Sequence, residues 1–274
     1  MRVLGIDSAT LVAGMAITDE LRVIVEGFLQ TRKTHSERLL PLIDIWLREA
    51  EISLNEIDGI AVTIGPGSFT GLRIGMATAK GLAQATGKAI IGVPTLDALA
   101  LNLAGASGFI CPILDARKAE VYTAIYVSPE PGRLIRLSRY LAVSPNLLLD
   151  WLRNGNGPFL EPGIEVIPSF AKIKPLEIEP MQSMQSWWQM DRCTQVPVNF
   201  LGDAVPVYWE QIQESLGCRA KQALSTHAGL RASQVAFLGM EALKEGKIED
   251  YRLIRPIYIR ASEAEIKYKE SAGS

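Results

Sequence analysis

The chain has 274 residues, of which 48% are hydrophobic and 21% charged, the balance of a folded globular protein with enough length for two compact cores. Its formal net charge of −2 supplies no overall field to hold it on nucleic acid or a membrane, so any RNA contact needs a local patch or a partner. The three cysteines, Cys111, Cys193 and Cys218, are odd in number and never spaced CxxC, and no run of about eighteen apolar residues exists, so the sequence argues against a disulfide frame, a zinc site or a membrane span. The N-terminus enters a strand-like run and not a secretory signal, and a cytoplasmic protein is expected.

Strands are predicted near 3–7, 14–17 and 23–28. A helix is predicted over 35–51, where Thr34 and Glu37 stand at capping-box spacing and Leu39, Leu40, Ile43, Trp46, Leu47 and Ala50 recur at helical intervals. Pro41 in its second turn should bend it. A buried strand at 59–64 leads into the glycine-rich loop 65–71, a second helix runs to about Thr86, and a strand at 89–93 precedes a short helix over 96–103.

From about Ser107 the opening pattern returns. Val3 to Asp7 is a strand ending in an acid, then a turn, then a second strand; Ile110 to Asp115 repeats this, followed by a strand at 120–127. A third strand (133–140) and a helix (145–153) complete the match. Four elements in one order point to a duplicated lobe, and a strand-Asp-turn-strand unit in each lobe is the layout of the actin-like ATPase fold. The segment at about 154–197 breaks the pattern and reads as an insertion, with Trp187-Trp188 packing it onto its own lobe or binding a ligand. A strand at 198–201 and helices at 205–216 and 230–243 follow, and the tail past Pro256 is extended, then charged. Two lobes are expected, 1–105 and 106–274.

The stretch Gly65-Pro66-Gly67-Ser68-Phe69-Thr70-Gly71-Leu72-Arg73 joins a strand to a helix N-terminus, where amides and the helix dipole favour an anion. It lacks the Lys-Ser/Thr pair of a Walker loop and the glycine spacing of a Rossmann fingerprint. It is therefore either a tight turn or a phosphate site of another kind. Arg73 places a cation in the first helical turn, against the dipole, for a surface or a functional reason. Gly75 and Gly81 inside the helix, with Ala77, Ala79, Ala83 and Ala85, make a small-residue surface that another backbone could approach. Asp7 and Asp115 end equivalent strands and stand where a metal and phosphate would be held. The glycines that would admit phosphates are missing: Ser8-Ala9-Thr10 follows one acid and Ala116-Arg117-Lys118 the other, while Gly202-Asp203-Ala204 has only the first of a glycine pair. Both acids could equally cap their turns. The two histidines, His35 and His227, form no metal or triad motif.

Ile6-Asp7-Ser8-Ala9-Thr10, the block from Gly65 to Gly75 with Ala79-Lys80-Gly81-Leu82-Ala83, Val93 to Leu99, Leu114 to Tyr122, His35 to Pro41 and the closing Pro256 to Glu265 resemble the TsaB family, a subunit of the bacterial tRNA threonylcarbamoyladenosine system. The resemblance covers residues 1–140, returns at 200–210 and again in the tail. It implies an α/β, actin-like ATPase (ASKHA, RNase H-like) duplicated two-lobed fold and kinship with TsaD, the catalytic paralogue, whose HxxxH metal pair is here His35 and Leu39. It implies a non-catalytic subunit that supports TsaD in transferring a threonylcarbamoyl group to adenosine 37 of tRNAs reading codons that begin with A. TsaE is the implied third partner, a homodimer through the same helices is the alternative assembly, tRNA contact is indirect, and no cofactor or metal is expected on the isolated chain. The expected partner interface is Ser36, Leu39, Leu40, Ile43, Leu47, Arg73, Met76, Ala77 and Lys80; the expected vestigial cleft is Asp7, Gly65, Gly67, Ser68, Asp115 and Gly202. The competing functions are an autonomous ATPase or kinase-like enzyme of the same fold, and an M22-type metallopeptidase, for which the sequence supplies no ligand set.

Overall fold

A computed structural model describes residues 1–30, 35–130, 132–155, 165–167 and 196–259, with the backbone alone at 35–37 and 165–167. The chain forms two units, one of Met1–Thr95 with the segment that begins at Arg231, the other of Leu96–Leu230.

In the first unit, β1 (Arg2–Asp7), β2 (Val12–Asp19), β3 (Val23–Gln30), β4 (Gly59–Gly65) and β5 (Ala89–Pro94) make one sheet in the order β3-β2-β1-β4-β5. The β1–β2 and β2–β3 pairs are antiparallel, and the β1–β4 and β4–β5 pairs are parallel. Side chains alternate across the strands, so each strand serves two faces. Leu4, Ile6, Ile60, Val62 and Ile90 share a core with Leu39 and Ile43 of α1 (His35–Glu49) and Met76, Ala79 and Ala83 of α2 (Phe69–Thr86). Gly5 and Ala61 turn the other way, onto a helix near the end of the chain, α7 (Ala232–Lys244). The contact there is close: a Cβ on Gly5 would collide with the Ala232 carbonyl and with Ala236, and one on Gly239 would collide with Ala61.

The second unit repeats the pairing around β6 (Phe109–Asp115). Parallel to it lie β12 (Val198–Leu201) and then β13 (Ala220–Gln222). On its other side the predicted strand 120–127 is split. The C-terminal half of β6 pairs with β7 (Val121–Thr123), which passes to β10 (Leu141–Val143). The N-terminal half pairs with β8 (Tyr126–Glu130), which passes to β9 (Arg133–Arg136) and β11 (Glu165–Ile167). The chain steps sideways at Ala124-Ile125, where the Ile125 N–H donates to Ser138 Oγ (2.9 Å) and its carbonyl accepts from Leu137 (2.7 Å). Both backbone groups of Ile125 are therefore paired at the break. Helices α4 (Pro145–Asn154) and α5 (Val205–Leu216) cover one face with Leu148, Leu152, Val205 and Ile212, as α1 and α2 do in the first unit. A short α6 (Ser225–Ala228) follows. This doubled β-β-β-α-β-α-β arrangement is the duplicated actin-like α/β fold.

One expectation is corrected. The sequence reading places everything after 105 in the second lobe, whereas the boundaries fall at Thr95 and Arg231. The reason is packing. Helix α3 (Thr95–Ala100) follows β5 directly, yet it is fastened to the second sheet, and α7 returns to cover the first. The fastening is a buried carboxylate. Asp97 accepts from Tyr126 Oη (2.7 Å), Tyr140 Oη (2.7 Å) and Arg136 (3.1 Å), and the Arg136 guanidinium stacks on the Tyr140 ring. Of the expected insertion at about 154–197, only 154–155, β11 and 196–197 are described; Trp187-Trp188 lies outside the described residues.

Asp97→Ala would strip one shared acceptor from an arginine and two tyrosines in a buried site. It should cost on the order of 3–5 kcal/mol, read as a lowered urea midpoint with the second unit unfolding first.

Candidate functional site

The first-unit site is built by two segments pressed together, the turn after β1 and the loop after β4. Asp7 is 1% exposed. Its Oδ1 accepts from the Ala9 N–H (2.9 Å) and from Thr63 Oγ1 (2.9 Å), so one oxygen ties the turn to β4. A Cβ on Gly14, its neighbour across β2, would touch both Asp7 and Ala232, which brings the start of α7 to this corner as well. Burial pushes the Asp7 carboxyl up to about 6, partly opposed by the hydrogen bonds from Ala9 and Thr63.

The loop glycines meet this turn backbone to backbone. A Cβ on Gly67 would collide with the Ala9 carbonyl, one on Gly71 with the Ser8 carbonyl, and one on Gly75 with Ser8 Oγ. The Ser68 amide donates to the Ala9 carbonyl (2.7 Å), and the Gly71 amide to Ser68 Oγ (3.3 Å), which makes Ser68 the N-cap of α2. Ser8 Oγ donates to the Gly71 carbonyl (2.8 Å). The Ser68 and Gly71 amides, which the sequence offers to an anion, are thus spent on the chain itself. Gly65, at φ +112°, packs under the Ile257 carbonyl, and Ile257 donates to the Ile64 carbonyl (2.7 Å), so the C-terminal segment straps the loop from above.

The second unit has the same device in looser form. Asp115 Oδ1 accepts from the Arg117 N–H (2.8 Å), the same two-residue turn as Asp7 and Ala9, but its side chain is exposed and also pairs with the Arg117 guanidinium (3.5 Å). Arg117, Lys118 and Ala119 all take positive φ, 64°, 52° and 57°. Gly202 follows β12 at φ +112°, the value of Gly65 at the end of β4, and a Cβ there would strike the Ile113 backbone. Asp203 Oδ1 accepts from the Asp115 N–H (3.0 Å), and burial raises its carboxyl above the usual range. Within the first unit the structure brings together Asp7, Gly65, Gly67 and Ser68, and within the second Asp115 and Gly202. Thr63, Asp203 and Ile257 complete these sites and are not on the sequence-predicted set. A threonine in an otherwise apolar strand was the available signal for the first of them.

The expected interface residues divide. Leu39, Ile43 and Met76 are corrected to core: each is under 5% exposed and packs beneath the first sheet, because the stripe Leu39–Ile43–Leu47 is the inward face of α1. Leu39, which occupies the second metal-ligand position of the TsaD pattern, is a packing residue here. Leu47 is half-buried against the same core. Leu40 (52% exposed), Arg73 and Ala77 face outward, with Lys80 half-exposed, and Ile45 (50%) joins them unpredicted. The side chain of Ser36 lies outside the described residues. Helix α2 starts at Phe69, not at Leu72, so Arg73 sits one full turn in, where the dipole opposes a cation only weakly. The two helix glycines also part ways. Gly75 is demanded by Ser8, whereas a Cβ on the exposed Gly81 would meet nothing within 4 Å.

Comparison with known proteins follows the same lines. The family model for TsaD, tRNA N6-adenosine threonylcarbamoyltransferase, matches residues 29–268. The chain is 31% identical over 271 residues to the tRNA threonylcarbamoyladenosine biosynthesis protein TsaB of Bacillus subtilis (strain 168), covering 99% of each. It is 38% identical over 134 residues to the protein of that name from Escherichia coli (strain K12), covering 48% of this chain and 58% of that one. The solved structure of YeaZ from Pseudomonas aeruginosa superposes with a TM-score of 0.65 at 21% identity, over 94% of this chain and 99% of that one, a likeness of fold. Among the described residues no helix is long and apolar enough to cross a membrane.

The carboxyl of Asp7 sets a pH dependence. Its folded pKa, about 6, lies above the ordinary 3.8, so the folded state keeps the proton over a window in which the unfolded chain has lost it. Stability from this group is full below about pH 4 and is lost as pH rises through about 6, on the order of 3 kcal/mol in all. Asp7→Asn keeps an acceptor for Ala9 and Thr63 without the ionisation. Urea unfolding over pH 4–7 should show a flatter profile than the parent and greater stability at pH 7; identical profiles would refute the assignment.

Proposed function

The chain belongs to the TsaB family, the paralogues of TsaD, and from that premise we propose that it takes part in tRNA threonylcarbamoyladenosine synthesis as a non-catalytic subunit that docks on TsaD through the outer face of α1 and α2. The observation that carries the docking is Gly81. A glycine inside a helix costs about 1 kcal/mol against alanine, and a fold retains one where space is short. Among the described residues no space is short at Gly81, so its reason lies in what approaches from outside. Ala77 stands one turn before it on the same exposed face, and Leu40 and Ile45 of α1 add apolar surface. A centre of small and apolar residues is what a closely packed helix of a partner protein would fill. In the absence of TsaD the same face would seat a second copy of this chain.

The non-catalytic part rests on the acids and glycines. Asp7 is enclosed and hydrogen-bonded, and Gly67, Gly71 and Gly75 make room for Ser8 and Ala9. These residues brace a turn in this chain. Threonylcarbamoyl transfer to adenosine 37, and the nucleotide that drives the cycle with TsaE, then belong to the partners, with weak or no ATP binding by the isolated chain.

Two substitutions test the docking in opposite directions. Gly81→Ala should raise the stability of the isolated chain by about 1 kcal/mol while weakening its affinity for TsaD. Ala77→Glu should leave the circular dichroism and thermal midpoint of the isolated chain intact and abolish co-elution with TsaD, because a charge buried without a partner costs several kcal/mol. Ile43→Glu is not a fair probe, since Ile43 is 1% exposed and its substitution would unfold the unit. If Gly81→Ala stabilises the chain and TsaD affinity is unchanged, the docking face is elsewhere. In cells, loss of the gene should remove threonylcarbamoyladenosine from tRNA, and Asp115→Ala should restore it; failure of that variant with the complex still formed would make Asp115 catalytic.

A further inference from the structure

The C-terminal segment does more than cover the loop. Ile254 is buried in the first core and anchors the chain there. Three residues on, Ile257 is hydrogen-bonded to Ile64, and this delivers Tyr258 to the N-terminal end of α2. The Tyr258 ring stacks on Phe69 with centroids 5.3 Å apart and an interplanar angle of 35°. The guanidinium of Arg73 lies 3.8 Å above the other partner in this stack, the Phe69 ring, and its Nε–H donates to Tyr258 Oη (3.3 Å). Residues 185 positions apart in sequence thus hold one arginine in a fixed pose.

Eight of the described arginines close on an acid: Arg2 on Glu56, Arg48 on Asp44, Arg117 on Asp115, Arg133 on Glu130, Arg136 on Asp97, Arg153 on Asp150, Arg231 on Glu26 and Arg252 on Asp250. Arg73 has no carboxylate among the described residues. It is held instead by the Phe69 ring and the Tyr258 hydroxyl, on two residues that stay 38% and 44% exposed, and Arg73 itself is exposed. A guanidinium whose orientation is fixed before binding loses less entropy in forming a two-pronged hydrogen bond.

We propose that the C-terminal segment is a clamp that presents Arg73 to a carboxylate on the partner protein, making Arg73 with Phe69 and Tyr258 the energetic centre of the docking face. This rests on the docking proposed above. Composition favours a protein over RNA as the occupant. One guanidinium set among aromatic rings, with Ala77 and Gly81 on the following turns, is the make-up of a protein hot spot. A nucleic-acid footprint needs a cluster of cations, and among the described residues α2 adds only Lys80 on this stretch. Phe69 and Tyr258 are positioning residues: they act through Arg73.

Calorimetric titration of the full chain with purified TsaD, alongside thermal melts, tests the clamp. Arg73→Ala should weaken binding about tenfold or more, and Arg73→Lys should recover little of it, because an ammonium neither stacks flat nor forks. Tyr258→Ala should weaken binding by a similar factor with an unchanged thermal midpoint. The double variant should be no weaker than Arg73→Ala alone, since the ring has nothing left to position. Multiplying losses, or a Tyr258→Ala chain that binds like the parent, would overturn the clamp. So would variants that keep TsaD affinity but lose affinity for tRNA, which would make the stack an RNA platform. Ala77→Glu separates the two readings. If it abolishes the complex while Arg73→Ala and Tyr258→Ala do not, the docking face stands and the clamp falls. If the parent chain does not bind TsaD at all, the docking falls and the clamp with it.

Discussion

The contact on which the first unit depends is the backbone approach between the turn after β1 and the glycine-bearing loop after β4. Ser8 and Ala9 present their carbonyls where Gly67 and Gly71 have no side chains, and Asp7 and Thr63 lock the strands behind them. That contact sets where α2 begins, because the same loop supplies its N-cap, Ser68. It sets which face α2 buries, because Gly75 must sit over Ser8. The positions of Ala77 and Gly81 on the outside then follow from helix geometry, two and six residues beyond Gly75. The outer face of α2 is thereby referenced to a buried carboxylate.

The two units show what duplication preserves and what it releases. The pairing around the central strand is the same in both, as are the Asp-capped turn and a glycine at φ +112° after the following parallel strand. The side chains have diverged. Asp7 is enclosed and shifted upward in pKa, whereas Asp115 is in solvent beside an arginine. In the second unit three non-glycine residues take the left-handed conformation in the turn, which backbone sterics disfavour by about 1 kcal/mol or more each. The first turn gained tight packing against a glycine loop; the second kept a strained, exposed shape.

Much of this was legible in the sequence, and the gaps have physical causes. Helices α1, α2, α4 and α5 and the central strands announce themselves by periodicity and caps, and the repeated strand-acid-turn order reveals the duplication. Three things were hidden. Burial cannot be read from an apolar residue alone: Leu39 and Ile43 look as suitable for a partner as Leu40, and only the angle of α1 on the sheet separates them. Long-range pairing leaves no local mark, so the meeting of Tyr258 with Arg73 and the hold of Asp97 on Tyr126 were not inferable from spacing. The glycines of the loop stand out in the sequence, but whether such a residue admits a phosphate or a carbonyl depends on the segment opposite, which for Gly67 and Gly71 is the chain's own turn after β1.

The exchange of helices between the units has a consequence for how the protein is made. The face of the first sheet that carries Gly5 and Ala61 is covered by α7, which starts at Ala232. A ribosome that has finished β5 must add roughly 140 more residues before that cover exists, about 7–30 s at ordinary elongation rates. Over that interval the nascent first unit has its α1 and α2 side available for packing and its other side bare. The bare face is apolar and smooth, lined by alanine and glycine, a surface that invites premature contacts. Completion of the first unit therefore waits on synthesis of the second, and the two become native nearly together, however independent their cores look once folded.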